Sequence, residues 1–116
     1  MARSVYTAPS GIHGKGVFAA RSFKKGDRVG EYRSYPTKVT SEENPFVIEC
    51  YDDDGNLSEY RMGTNAFRFV NHSDDPNLHM DDDLIFWAVK DIAKDDELTW
   101  YYGDEFEADM KKDRLG

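Results

Sequence analysis

Short apolar runs, broken by turn residues at intervals of roughly eight to twelve positions, limit what this chain can become more than any other feature. Val5-Tyr6, Val17-Phe18-Ala19, Val29-Gly30-Glu31-Tyr32, Phe46 to Tyr51, Leu84 to Val89 and Glu97 to Tyr101 suit strands and are too short for stable helices. Asp52-Asp53-Asp54-Gly55-Asn56 reads as a hairpin turn in which Gly55 can take positive φ, with Tyr60-Arg61-Met62 as the returning strand. Lys24-Lys25-Gly26-Asp27 is a tight turn into a strand, and Ala93-Lys94-Asp95-Asp96 does the same work without glycine. Helix is scarce. Asn65 to Val70 can make one turn, and Glu105 to Arg114 is expected as a short C-terminal helix with Phe106 and Met110 on one face. The expected fold is mainly β, built of small sheets.

The length of 116 residues fits one domain, 1–116, with a core from about residue 4 to 104 and a tail over 105–116. No apolar run approaches the ~20 residues of a membrane helix, so no membrane role is expected. The N-terminus lacks the apolar stretch of a secretory signal. Cys50 is the only cysteine, which excludes an internal disulfide and a cysteine-cluster zinc site. A reducing, cytoplasmic compartment follows as the expectation, not a secreted one. Formal net charge is −8, with acidic runs at Asp52 to Asp54, Asp81 to Asp83, Asp95 to Glu97 and Asp104 to Asp109. Nucleic-acid binding is disfavoured, because phosphate contacts need a basic stripe. The acidic surface is either plain solvation or a rim that draws in a basic peptide. His13 and His79 have no partners at metal-ligand spacing, so no metal is expected.

Three blocks stand out against this background: Gly14-Lys15-Gly16-Val17-Phe18, Arg68-Phe69-Val70-Asn71-His72-Ser73 running on to Pro76-Asn77, and Glu97-Leu98-Thr99-Trp100-Tyr101-Tyr102-Gly103. Gly-x-Gly alone is common turn punctuation. In this order, the three together resemble the signature of SET-domain protein lysine methyltransferases, over about Gly11 to Asp104. The resemblance implies a fold of small curved sheets with a knot-like core, where the Asn-His-Ser segment meets the end of the Tyr102 strand. It also implies an enzyme, a protein-lysine N-methyltransferase that uses S-adenosylmethionine on a protein or peptide lysine, basic and histone-like.

Methyl transfer from a sulfonium to an amine is an in-line displacement that needs a donor pocket, a narrow amine path and a neutral nitrogen. Free lysine titrates near ~10.4, so desolvation and nearby positive charge must favour the neutral form. By resemblance, Gly14, Lys15 and Gly16 let backbone approach the donor. Asn71 and His72 hold its amino-acid end and its adenine, and Arg68 pairs with its carboxylate. Tyr102 matches the catalytic tyrosine, orienting donor and amine. Trp100, Tyr60 and Phe106 are assigned to the substrate side. Strand alternation puts Trp100 on the face of Tyr102 and Tyr101 on the other.

Several positions depart from the family pattern. Trp100 stands where many relatives have Phe or Tyr, Asp74 where many have cysteine, and a cysteine-rich zinc-binding tail is absent. The segment between Arg33 and Tyr60 is short, as in the minimal stand-alone members of viruses and bacteria, which would make the host nucleus an alternative location. The C-terminal segment bearing Phe106 is expected to close the lysine channel, and a homodimer would serve equally well. The alternative reading is a catalytically silent SET fold acting as a peptide-binding module.

Overall fold

A computed structural model describes residues 4–44 and 46–102. Ten short strands form three small sheets. The first holds β1 (Val5–Pro9), β2 (Lys15–Ala19), β10 (Glu97–Trp100) and β7 (Asn71–His72), in that order. The second is β3 (Arg28–Glu31), β9 (Ile85–Ala88) and β8 (Leu78–Met80), and the third is β4 (Ser34–Thr37), β6 (Leu57–Gly63) and β5 (Val47–Tyr51). The single helical element described is a 3-10 turn, Ala66–Phe69, where one turn was expected. The expected C-terminal helix lies outside the described residues. None of the described helices is long and apolar enough to cross a membrane.

Turn chemistry fixes most of these boundaries. Gly55 takes φ of 83° and Gly26 of 95°, as their turns require. In the glycine-free turn Asp95 itself adopts φ of 74°, and a short polar side chain tolerates that region. The two turns share a device: the Asp27 carboxylate accepts from the Lys24 N–H at 2.9 Å, and that of Asp96 from Ala93 at 3.0 Å. Asp52 and Asp81 likewise close their turns, accepting from Asn56 at 2.9 Å and Ile85 at 3.0 Å. One carboxylate in each of these acidic runs therefore faces inward as a turn former.

β4, β7 and β8 lack a sequence signal of their own. β4 contains Pro36 but lies at the edge of its sheet, where a missing N–H is tolerated. β7 is only two residues long, and it exists because β10 pairs with it in parallel, Thr99 against Asn71 and Trp100 against His72. Tertiary pairing creates these strands, and local propensity does not.

The core is a cluster that includes Val17, Phe23, Val29, Tyr32, Phe67, Val70, Leu78, Ile92 and Leu98, with Phe86 fully buried among them. Phe86 meets Tyr32 edge-on at 6.4 Å, Phe67 at 5.3 Å and Trp100 at 5.5 Å between ring centroids. This one ring ties the second sheet to the end of β10. Phe86→Ala should cost about 3–5 kcal/mol, seen as a lower urea midpoint at unchanged slope.

Candidate active site

The site grows from the pairing of β7 with β10. β10 is held between β2, through Glu97 and Leu98, and β7, through Thr99 and Trp100. The Asn77 side chain extends the ladder: its Nδ2 donates to the Glu97 carbonyl at 2.9 Å, and its Oδ1 accepts from the Thr99 N–H at 2.8 Å. The last residue of the Asn-His-Ser block is thus a clip on β10. Past Trp100 the chain leaves the strand, and Ser73 N–H donates to the Trp100 carbonyl at 3.0 Å. Two motif blocks remote in sequence are thereby fused.

Tyr102 is fixed from both ends. Its N–H donates to His72 Nδ1 at 3.0 Å, and its hydroxyl donates to the Val70 carbonyl in a short contact. Its ring lies 5.6 Å from Trp100 and 5.2 Å from His72. Trp100 and Tyr102 therefore meet, although Tyr102 lies beyond the end of β10. Tyr101 also reaches His72, at 5.2 Å, because the strand ends at Trp100 and strict alternation ends with it. Although 39% of Tyr102 is exposed, its hydroxyl end points inward. Burial first, then the neighbouring Tyr32, push its phenol up to about 12. Tyr32, read from sequence as an ordinary strand residue, is 4% exposed. It donates to the Phe46 carbonyl at 2.9 Å and is likewise pushed up to about 12, mainly by burial.

Asn71 is buried in the wall beneath the Gly14–Gly16 turn. Its Nδ2 lies 3.1 Å from the Ser10 hydroxyl, 3.1 Å from the His13 carbonyl and 3.4 Å from the Lys15 carbonyl. Glu97 Oε2 is 3.0 Å away. Gly14 has φ of 47°. Gly16 is glycine for a reason of space: a Cβ there would stand 2.5 Å from Glu97 Oε2. Arg68 donates to the Asn65 carbonyl at 2.8 Å and lies over the Phe69 ring at 4.3 Å, while Lys15 Nζ lies 5.0 Å from the same ring. The structure thus brings together Gly14, Lys15, Gly16, Asn71, His72, Trp100 and Tyr102, and sets both Arg68 and Lys15 against the Phe69 ring.

Tyr60 is not part of this group. It stands in the third sheet opposite Glu49 and Thr37, with no ring contact or hydrogen bond to Trp100 or Tyr102. Phe106 lies outside the described residues. An open hollow of about 470 Å³ lies beside Tyr32, Arg33 and Arg61, and its lining includes neither Asn71 nor Tyr102. Sequence reasoning passed over Ser10, Glu97, Tyr32 and the Val70 carbonyl. Of these, Glu97 and Val70 sat inside recognised blocks.

A SET-domain family model matches residues 14–103, most of the chain. The chain belongs to the SET-domain family. It is 32% identical to the human histone-lysine N-methyltransferase 2B over 109 residues, 80% of this chain and 4% of that protein's length. Identity to the Arabidopsis thaliana histone-lysine N-methyltransferase ATX2 is 31% over 115 residues, covering 80% of this chain and 10% of that protein. Among solved structures, the Neurospora SET-domain protein DIM-5, a histone lysine methyltransferase, superimposes with a TM-score of 0.68 at 24% identity. That match covers 86% of this chain and 52% of the other, and it supports the fold.

The two perturbed phenols set an alkaline limit on the SET fold. Both bind their proton more tightly folded than unfolded, from an ordinary 10.0 to about 12. Stability should therefore be complete below pH 10 and fall as pH rises towards 12. Denaturant titrations across that window, followed together with phenolate absorbance, check this; replacing Tyr32 or Tyr102 by Phe should shallow the decline.

Proposed function

We propose that this SET domain transfers methyl groups from S-adenosylmethionine to a lysine side chain of a protein or peptide. The observation that carries the proposal is the convergence of Asn71 and Tyr102, from separate blocks, on one strand junction. The names of the relatives, histone-lysine N-methyltransferases, support the reaction class and suggest a basic, histone-like substrate.

The residues present fit the donor's chemistry. The carbonyls of His13 and Lys15 make an acceptor-rich wall around Asn71, suited to an ammonium group. Lys15 and Arg68, gathered on Phe69, suit a carboxylate. The Gly14–Gly16 turn offers exposed backbone, and His72 helps hold the neighbouring wall. When bound, S-adenosylmethionine supplies an electrophilic methyl on a sulfonium. Trp100 and Tyr102 border the place where the amine arrives.

Tyr102 acts by position and hydrogen bonding. Its hydroxyl donates to the Val70 carbonyl, and a phenol oxygen so oriented suits an incoming amine N–H as an acceptor. A phenol pushed up to about 12 stays protonated at neutral pH, so Tyr102 is not a general base. The lysine therefore sheds its proton to water before transfer. Tyr102 and Trp100 then align the neutral amine, and alignment is the main gain.

Two substitutions test this reading. Asn71→Ala should weaken donor binding by about 1.5–3 kcal/mol in calorimetry while the chain stays folded. Tyr102→Phe should keep donor affinity and cut kcat on a histone-tail peptide about tenfold or more. Unchanged donor affinity in the first, or full turnover in the second, would remove that residue from its role. A wild-type chain that binds peptide but no donor would select the peptide-binding module instead.

A further inference from the structure

The Asn71 amide has two N–H protons but four acceptors around Nδ2, at 3.0 to 3.4 Å. Such crowding is sustained only if every neighbour is an acceptor towards it. The Ser10 hydroxyl has one proton, and it is directed at the Glu97 carboxylate, 2.8 Å from Oε1 and 2.7 Å from Oε2. Its lone pairs then face the Ile12 N–H at 2.9 Å, the His13 N–H at 3.3 Å and Asn71 Nδ2 at 3.1 Å. An ionised carboxylate can only accept. Glu97 therefore dictates the direction of the Ser10 hydroxyl, and with the acceptor-only carbonyls of His13 and Lys15 they fix which end of the Asn71 amide faces inward. The amide NH₂ must point at the wall, which turns Oδ1 away from it; Oδ1 accepts no hydrogen bond among the described residues. Gly16 completes the arrangement, since any side chain there would displace the Glu97 carboxylate.

We propose that Ser10 and Glu97 are positioning residues for the methyl-donor site: they hold the Asn71 amide in place and pin the 10–14 loop above it. The inference rests on the donor-binding reading for its functional half. In the Glu97→Gln variant an amide NH₂ replaces one carboxylate oxygen. The Ser10 hydroxyl in this relay can then reverse and compete with the Asn71 amide, which loses acceptors and is held only by the His13 and Lys15 carbonyls, with little change in volume. In the Ser10→Ala variant the hub is removed while the backbone remains.

The test pairs two measurements on the full chain. Calorimetry with S-adenosylmethionine should show each variant binding about tenfold more weakly than wild type. Turnover on a histone-tail peptide at saturating donor should stay within about threefold, so the loss falls on donor KM. NMR of the Asn71 side-chain amide should show slow proton exchange in wild type and fast exchange, with shifted resonances, in both variants. The amide readout needs no donor. Donor affinity within about twofold of wild type overturns the positioning role, and an unmoved Asn71 amide signal overturns the relay. Should Glu97→Gln unfold on heating well below wild type, Ser10→Ala, which deletes one hydroxyl, decides the question alone. A wild-type chain without donor affinity overturns the functional reading and the donor half of this proposal, while amide exchange still judges the relay.

Discussion

A parallel pairing of two residues on β7 with two on β10 underlies the rest of the molecule. Neither strand is long enough to persist alone, and parallel strands need a crossover to meet. Here the crossover carries the whole β8–β9 hairpin, which joins β3 to form a separate sheet. The junction is reinforced by amides: Asn77 bonds to both a carbonyl and an N–H on one edge of β10, and Asn71 reaches the 10–14 loop. Two asparagines of one block thus serve two purposes, one holding the strand and the other lining the wall beneath the glycine turn. Remove the pairing and Tyr102 loses both of its anchors, since His72 belongs to β7 and Val70 precedes it.

Aromatic packing couples this junction to the rest of the core. Phe86 touches Trp100, Trp100 touches Tyr102, and Tyr32 touches Phe86. Gly63 makes room for the Tyr32 hydroxyl, where a Cβ would stand 2.3 Å away. The third sheet thereby bears on the site through Tyr32, although its own Tyr60 does not reach it. Burial of both phenols is the common cause of their high affinity for protons.

Much of this was legible from residues. The runs at Val17, Val29, Val47, Phe86 and Leu98 became strands because alternation and turn residues agreed. The turns at Gly26, Gly55 and Asp95 carry left-handed backbone, and that at Asp95 shows that aspartate can stand in for glycine. β4 and β7 were not legible, because their pairing energy comes from partners remote in sequence. The acidic runs looked like surface charge, yet Asp52, Asp81 and Asp96 each turn one carboxylate onto backbone N–H groups. In the site, the motif residues were readable because their blocks are distinctive. Ser10 was not, because a serine before glycine reads as any loop; its partner lies 87 positions away. Glu97 was in plain view but passed for solvated charge.

That separation has a consequence for how the molecule comes into being. Ser10 and Asn71 wait for Glu97, and His72 waits for Tyr102, so no shorter nascent chain can hold the arrangement. Loop closure over such distances is slow, and the entropy is spent before any contact rewards it. During synthesis, strands β1 to β9 must remain without their keystone until residue 100 has left the ribosome. The junction that joins Asn71, His72 and Tyr102 then arrives in one step, once β10 has paired, and unfolding of β10 alone is enough to dissolve it.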